Sequence, residues 1–157
     1  MAQNSYLTFK LAEEHFAINV LNVMHILEMM KITKVPQSPE YMMGVINLRG
    51  AVVPVIDTKK KFGQGEAVIT SNTCILVLNL ELEGQPLTIG ALVDSVHEVE
   101  EIDDSQIKPA PSVGTRYKSD FIEGLHAMDE KFVMIVNMNK VLSMDELLVV
   151  QEIAGEE

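Results

Sequence analysis

The side chains that could act as nucleophiles or metal ligands are few and widely separated in this sequence. The four histidines are His15, His25, His97 and His126, and the single cysteine is Cys74. A helix-borne zinc pair needs two histidines about four positions apart, and a hydrolase elbow needs a Gly-x-Ser-x-Gly stretch; the sequence has neither. The spacing therefore predicts no catalytic residue and no metal site, and an enzyme could only carry a composite site assembled from distant positions.

Two other stretches resemble ligand loops only superficially. The segment 63–65 reads Gly-Gln-Gly but lacks the Lys-Ser/Thr end of a phosphate loop, so we interpret it as a turn. The segment 98–104 carries five acidic residues but lacks the alternating oxygen ligands and the final bidentate glutamate of a calcium loop. We interpret it as a solvated strand face leading into a capped turn. We therefore expect no cofactor.

Composition excludes several classes of function. The 157 residues include 23 Asp and Glu against 12 Lys and Arg, which gives a formal net charge of −11 at pH 7. Such a surface opposes binding to nucleic acid or anionic lipid. The basic run at 59–61 is expected to be a solvated helix end. One cysteine permits no intramolecular disulfide, and no window is long and apolar enough to span a membrane, so we expect a cytoplasmic protein that does not insert into membranes.

The elements that would position any functional residue are mostly short strands. Alternating apolar residues at 6–11 and 15–19 predict an opening hairpin. The window 20–30 fits both periods, and we favour one or two helical turns followed by a strand. Residues 39–43 suggest a short helix ended by Gly44, and Pro54 is expected to place its strand at a sheet edge or bulge.

Further strands are predicted at 73–81, 87–94, 96–102, 121–128 and 131–138, with a helical turn at 58–62 and a terminal helix from about 140 to 148. Short strands at regular spacing indicate small antiparallel barrels or a sandwich. The glycines at 63 and 65 mark the expected internal boundary. The segment 103–118 is expected to be a polar connection, either a functional surface loop or a linker.

One block of residues carries a resemblance to a known family. The block is GVINLRG at 44–50 followed by VVPVID at 52–57, with ITKVP at 32–36, GALVDSV at 90–96 and FVMIVN at 132–137 around it. In this order and spacing, from about residue 6 to 148, the chain resembles the CheW-like family of chemotaxis coupling proteins, whose domain is shared with the regulatory part of the kinase CheA. One departure is His25, which stands where the family often has a glutamate.

The resemblance implies an all-β fold of two five-stranded SH3-like β-barrels side by side, with a few short helices and a C-terminal helix. It implies one CheW-like domain over 1–157, with subdomains at about 15–65 and 66–150 that can interleave through the chain ends. It also implies a non-enzymatic adaptor, monomeric when free and recruited to membrane-associated receptor arrays. Its partners would be the regulatory domain of the histidine kinase CheA and the helical cytoplasmic tip of a methyl-accepting chemoreceptor.

The resemblance also nominates residues that bind these partners. They are Leu7, Val20, Val23, His25, Ile26, Arg49, Cys74, Val96 and His97. Each aliphatic member could instead belong to a barrel core. Arg49 could equally be a solvated hairpin tip or a structural hydrogen-bond donor.

Other functions stay open at this point. An adaptor of a parallel chemosensory pathway, controlling pili or gene expression, would share the same residues. A ligand-binding β-barrel is a hypothesis of a different class, and the net charge and low aromatic content count against nucleic acid as its ligand.

Overall fold

The chain folds into strands with few and short helices. The computed structural model describes residues 3–109 and 121–155. Its strands are β1 (Gln3–Leu11), β2 (Glu14–Asn19), β3 (Val23–Glu28), β4 (Met42–Leu48), β5 (Ala51–Asp57), β6 (Cys74–Leu82), β7 (Gln85–Val93), β8 (Ser95–Asp103), β9 (Ile122–Met128) and β10 (Lys131–Val136). Its helices are α1 (Thr58–Lys61), α2 (Met144–Gly155) and 3-10 helices at Val20–Asn22, Asp104–Gln106 and Met138–Lys140.

The strands form two five-stranded sheets that each close into a barrel. The first sheet has the order β8-β1-β2-β10-β9 and the second β3-β6-β7-β5-β4. In the second, Thr33 beyond β3 pairs with Val45 of β4, with both backbone hydrogen bonds at 2.8 Å. In the first, Lys108 beyond β8 pairs with Leu125 of β9 in the same way. The predicted fold class, two five-stranded barrels with short helices and a C-terminal helix, is confirmed.

The two barrels share one strand topology with the chain ends placed differently. In the second barrel, β3 to β7 are consecutive, and β7 lies parallel to β5. In the first, β8, β9, β10, β1 and β2 take the corresponding places, and β2 lies parallel to β10. The first barrel is thus a circular permutation of the second, completed by the N-terminal hairpin.

The closing contacts are equivalent in detail and explain two glycines. Gly44 and Gly124 each precede the residue that closes their barrel, and the Cβ of an alanine at either site would overlap the closing segment. At Gly44 the overlap is with the Thr33 carbonyl oxygen, and the backbone also has a positive φ of 144°. Glycine at these two positions therefore lets the closing strand approach its neighbour.

The sheets do not follow the predicted division at residue 65. That boundary falls between β5 and β6, which both belong to the second sheet, whereas the first sheet combines residues 3–19 with 95–136. The glycines at 63 and 65 do lie after α1, both with positive φ. Local turn composition identifies a surface loop but carries no information on which distant strands pair, and here the pairing of β2 with β10 decides the barrel.

The largest cluster of buried apolar side chains lies between the barrels. One buried cluster draws on both sheets, with Leu7 and Phe9 from β1 and Leu76 and Leu78 from β6 among its members. Smaller clusters fill the interior of each barrel, around Ile102 and Ile135 in the first and around Val53 and Ile75 in the second. The face shared by the barrels is therefore the main core of the protein.

Several local expectations are confirmed and others differ from the structure. The window 20–30 forms a helical turn followed by β3, and 58–62 forms α1. The helix predicted at 39–43 is instead a turn closed by a hydrogen bond from Met42 N–H to Pro39 C=O, because β4 already begins at Met42. The polar connection predicted for 103–118 lies outside the described residues from 110 onward.

Pro54 is expected at a sheet edge or a bulge; β5 is not an edge strand, because it lies between β4 and β7, but a bulge between Met42 and Gly44 of β4 lies beside it. Its missing N–H is accommodated since Val45 opposite uses its own N–H and C=O for Thr33, and pairing with β7 starts only at Val55. The lysines of α1 are also less solvated than expected. Each makes an ion pair, namely Lys59 with Asp94, Lys60 with Glu66 and Lys61 with Glu146.

Candidate partner-binding site

Five of the nominated aliphatic and thiol side chains meet at the core between the barrels. Leu7 is only 3% exposed and belongs to the shared cluster itself. Val20, Val23, Cys74 and Val96 are half-buried and pack against that cluster. They therefore lie at its rim, where a side chain both contacts the core and remains accessible to a partner.

A β-bulge in β3 gives this rim its first wall. Val23 pairs with Leu78 and Ile26 with Leu76 of β6, with a register shift between Val23 and His25. Paired residues of neighbouring strands share a face, so the extra residue of the bulge places Val23 and Ile26 on the face of the shared core despite their spacing of three. Ile26 is 50% exposed there.

An equivalent bulge in β8 gives the second wall. Val96 pairs with Phe9 and Val99 with Leu7 of β1, again with a register shift between them. The Thr8 hydroxyl donates a 2.7 Å hydrogen bond to the Glu98 carbonyl oxygen and fixes the bulge. Val99 is 56% exposed. It was not nominated from the sequence, because strict alternation along a strand would put Val99 on the other face of the sheet from Val96.

We call this set the seam groove. Its members come from β1, the helical turn after β2, β3, β6 and β8, and are Leu7, Val20, Val23, Ile26, Cys74, Val96 and Val99. Both walls are end strands of their sheets, so among residues 3–109 and 121–155 no other strand pairs along their outer edges. The arrangement presents half-exposed aliphatic groups over a buried floor, which suits an apolar partner surface.

Two nominated histidines lie on other faces. His25 pairs with Val77 of β6 and so projects away from Val23 and Ile26. The His97 ring lies 5.9 Å from the ring of His15, and its Nε2 lies 3.1 Å from the Ser95 hydroxyl. The rings of His15 and His97 line a cavity of about 280 Å³ at one end of the first barrel, together with Met128. The structure therefore does not bring His25 and His97 into the seam groove.

His15 in this cavity has a lowered pKa. Its partial burial is the main cause, and Lys131, whose Nζ lies 3.4 Å from Nε2, and His97 add to it. All three effects disfavour the protonated imidazole. His15 is therefore held in its neutral form over a wider pH range than a free histidine.

Comparison with known proteins identifies the family of the chain. A sequence model of the CheW-like domain matches residues 5–146, which is most of the chain. The chain belongs to the CheW-like family. This is a family of chemotaxis scaffold or adaptor proteins.

Individual relatives agree over nearly their full length. The chain is 34% identical to the chemotaxis protein CheW of Klebsiella aerogenes, covering 95% of this chain and 87% of that one. It is 32% identical to the chemotaxis protein CheW of Bacillus subtilis, with 87% and 85% covered. The crystal structure of the scaffolding protein TtCheW from Thermoanaerobacter tengcongensis superposes with a TM-score of 0.80 at 35% identity, covering 92% and 97%.

Arg49 lies away from the seam groove of this CheW-like chain. It occupies the exposed turn between β4 and β5 with a positive φ of 53°. The turn is fixed by the Asn47 side chain, whose Oδ1 accepts a 2.7 Å hydrogen bond from Gly50 N–H. Arg49 is therefore in a turn of the second barrel and is not one of the strand residues that strand pairing places in the seam groove.

The groove carries no group suited to covalent chemistry. Burial raises the pKa of the Cys74 thiol, and the nearby Glu28 carboxylate raises it further, so the thiolate is disfavoured. Within residues 3–109 and 121–155, no three His, Cys, Asp or Glu side chains converge as metal ligands would. None of the helices in those same ranges is long and apolar enough to cross a membrane.

Proposed function

We propose that this CheW-like chain is an adaptor that couples the helical cytoplasmic tips of methyl-accepting chemoreceptors to the regulatory domain of the histidine kinase CheA. It sets the output of the kinase and performs no phosphoryl transfer itself. The observation that carries the proposal is the seam groove, a two-walled apolar surface in a member of a chemotaxis scaffold family.

A helical partner fits the groove for geometrical reasons. An amphipathic helix inserts apolar side chains spaced three or four residues apart into such a surface. The walls offer Val23 and Ile26 on one side and Val96 and Val99 on the other; Ile26 and Val99 are half or more exposed before binding, and Val23 and Val96 are partly exposed. We therefore assign the receptor tip to this groove, with Leu7 as its floor.

The rim of the groove is polar, as expected of a reversible interface. Glu28 pairs with Cys74 and continues the β3 wall, while Glu101 continues the β8 wall beyond Val99. Both carboxylates are exposed. They would stay hydrated around a bound helix and keep the free protein, which we propose to be monomeric, soluble.

The second partner would use another surface. A regulatory domain with the same pair of barrels could meet this chain through similar barrel faces, since like modules form quasi-symmetric contacts. Exposed Arg49 is our candidate contributor there. Binding to receptor tips would recruit this cytoplasmic protein to membrane-associated receptor arrays.

Binding and kinase assays test the proposal directly. The chain is titrated into a purified chemoreceptor cytoplasmic fragment and, separately, into the CheA regulatory domain, and CheA autophosphorylation is then measured with all three present. We expect binding to each partner and a change in kinase rate only in the ternary mixture. Absence of binding to both partners would refute the adaptor function. The receptors that co-purify with the chain distinguish a flagellar pathway from one that controls pili or gene expression.

A further inference from the structure

The two walls of the seam groove belong to different barrels. β3 is part of the second barrel and β8 is part of the first. The width of the groove therefore depends on the angle between the barrels, and whatever holds that angle also controls the groove. The packed core holds the barrels together, and directional hydrogen bonds at its ends add a preference for one angle.

Asn139 makes a directional contact from one barrel to the other. It follows β10 of the first barrel, and its Nδ2 donates a 2.7 Å hydrogen bond to the Glu81 carbonyl oxygen in β6. Its Oδ1 accepts a 3.3 Å hydrogen bond from Glu81 N–H. Pairing of β6 with β3 ends at Leu78, so the Asn139 amide takes the place of a neighbouring strand along the remaining edge of β6.

This contact lies at the Val23 end of the groove. Asn22, which directly precedes Val23, donates a 3.4 Å hydrogen bond from Nδ2 to the Asn79 carbonyl oxygen on the same edge. Asn22, Asn79, Glu81 and Asn139 line one shallow cavity. Asn22 and Asn139 each lie in a segment that follows a strand of the first barrel. Their side chains thus join both segments to β6 of the second barrel by hydrogen bonds.

Asp94 makes the corresponding contact at the Val96 end. It is the single residue between β7 and β8, and its Oδ2 accepts a 2.7 Å hydrogen bond from Ala12 N–H in the first barrel. The same oxygen lies 3.7 Å from Nζ of Lys59, in the helix that follows β5 of the second barrel. The Lys59 side chain is only 12% exposed, which shields this ion pair from solvent.

We propose that Asn139 and Asp94 are positioning residues that hold the two barrels at the angle that keeps the seam groove open. They bracket the groove at its two ends and join the barrels by hydrogen bonds and an ion pair rather than by packing. These contacts alone support the role of the two residues in setting the angle, whereas the effect of the angle on partner binding rests on the proposed function.

The angle can be measured without any partner. In a Cys74→Ser background, spin labels at Ala51→Cys and Ala127→Cys place one probe on an exposed site of each barrel. We expect Asn139→Ala to broaden or shift the distance distribution measured by pulsed electron paramagnetic resonance. Lys59→Met removes the ion pair of the Asp94 contact and leaves its hydrogen bond from Ala12 N–H in place, and it serves if Asn139→Ala fails to fold. An unchanged distribution in the folded variants would overturn the proposal.

The effect on the groove is separated from general stability by a matched variant. Ile135→Val removes one methylene from the interior of the first barrel and leaves both contacts intact. We expect Asn139→Ala to weaken binding of the chemoreceptor cytoplasmic fragment about 3- to 10-fold, and Ile135→Val to leave it unchanged. Equal weakening by both variants would overturn the positioning role. Failure of the wild-type chain to bind would instead refute the proposed function, while the distance measurement would still decide the role of Asn139.

Discussion

Replacement of Val23 by glutamate tests the seam groove most directly. Val23 is half-buried on an edge strand and packs against the shared core without belonging to its fully buried part. Full burial of an aliphatic side chain is worth about 1.5 to 3 kcal/mol, so the smaller, exposed part of Val23 that a partner would cover contributes about 0.5 to 1 kcal/mol. Desolvation of a carboxylate against the apolar floor adds a further cost of roughly 1 to 3 kcal/mol.

These contributions predict that Val23→Glu weakens binding of the chemoreceptor fragment by about 1.5 to 4 kcal/mol, or roughly 10- to 700-fold. Titration calorimetry measures the affinity, and circular dichroism measures the fold. The matched control is Val68→Glu, the same change at a loop residue that is 64% exposed and outside the groove, and it should bind normally. Unaltered affinity of a folded Val23→Glu variant would refute the reasoning, and loss of the folded spectrum would assign Val23 to the core.

Three further outcomes follow from contacts elsewhere. Gly44→Ala should lower the free energy of unfolding by at least about 2 kcal/mol in urea titrations, and Gly50→Ala by about 1 kcal/mol, because only the first adds a steric overlap to a positive φ. Partial burial raises the pKa of Glu146, but hydrogen bonds from Lys61 and from Ser143 outweigh it and the net pKa is lowered. The stabilisation by the Lys61–Glu146 ion pair should therefore be present above the pKa of a glutamate in the unfolded chain and be lost as the pH falls through the lowered pKa of Glu146. Lys61→Met should remove that part of the pH dependence of the free energy of unfolding. Cys74 should react with a disulfide reagent at pH 8 more slowly than free cysteine, since its pKa is raised, and the bound receptor fragment should slow it further.

Strand positions could be predicted from the sequence because their signals are local. Alternation over 6–11 and 15–19 reflects a sheet with one face on the core, and β1 and β2 pair there as a hairpin. An aspartate directly before a predicted helical turn is a local signal of the same kind, and Asp57 caps α1 by accepting a hydrogen bond from Lys60 N–H. The membership of each strand in a barrel could not be predicted from such signals, because the contact of β2 with β10 joins distant parts of the chain.

The candidate site likewise has a part that could be predicted from the sequence and a part that could not. Val20, Val23, Cys74 and Val96 were nominated as a group, and the structure brings them to one rim around Leu7. The bulges in β3 and β8 could not be anticipated from residue types. A single extra residue in each strand reverses the face of every side chain after it, which is why Val99 joins Val96 in the groove.

The permuted topology explains why a groove exists at this place. β3 and β8 hold equivalent positions in their barrels, since each is the end strand that pairs along one edge and then continues into the segment that closes the barrel. Such a strand must bend to serve both purposes, and a bulge supplies the bend. Each bulge also places two aliphatic residues with a spacing of three on the face between the barrels. The groove is therefore built from two copies of one structural element, and the residues that set the angle between the copies control it as directly as the residues that line it.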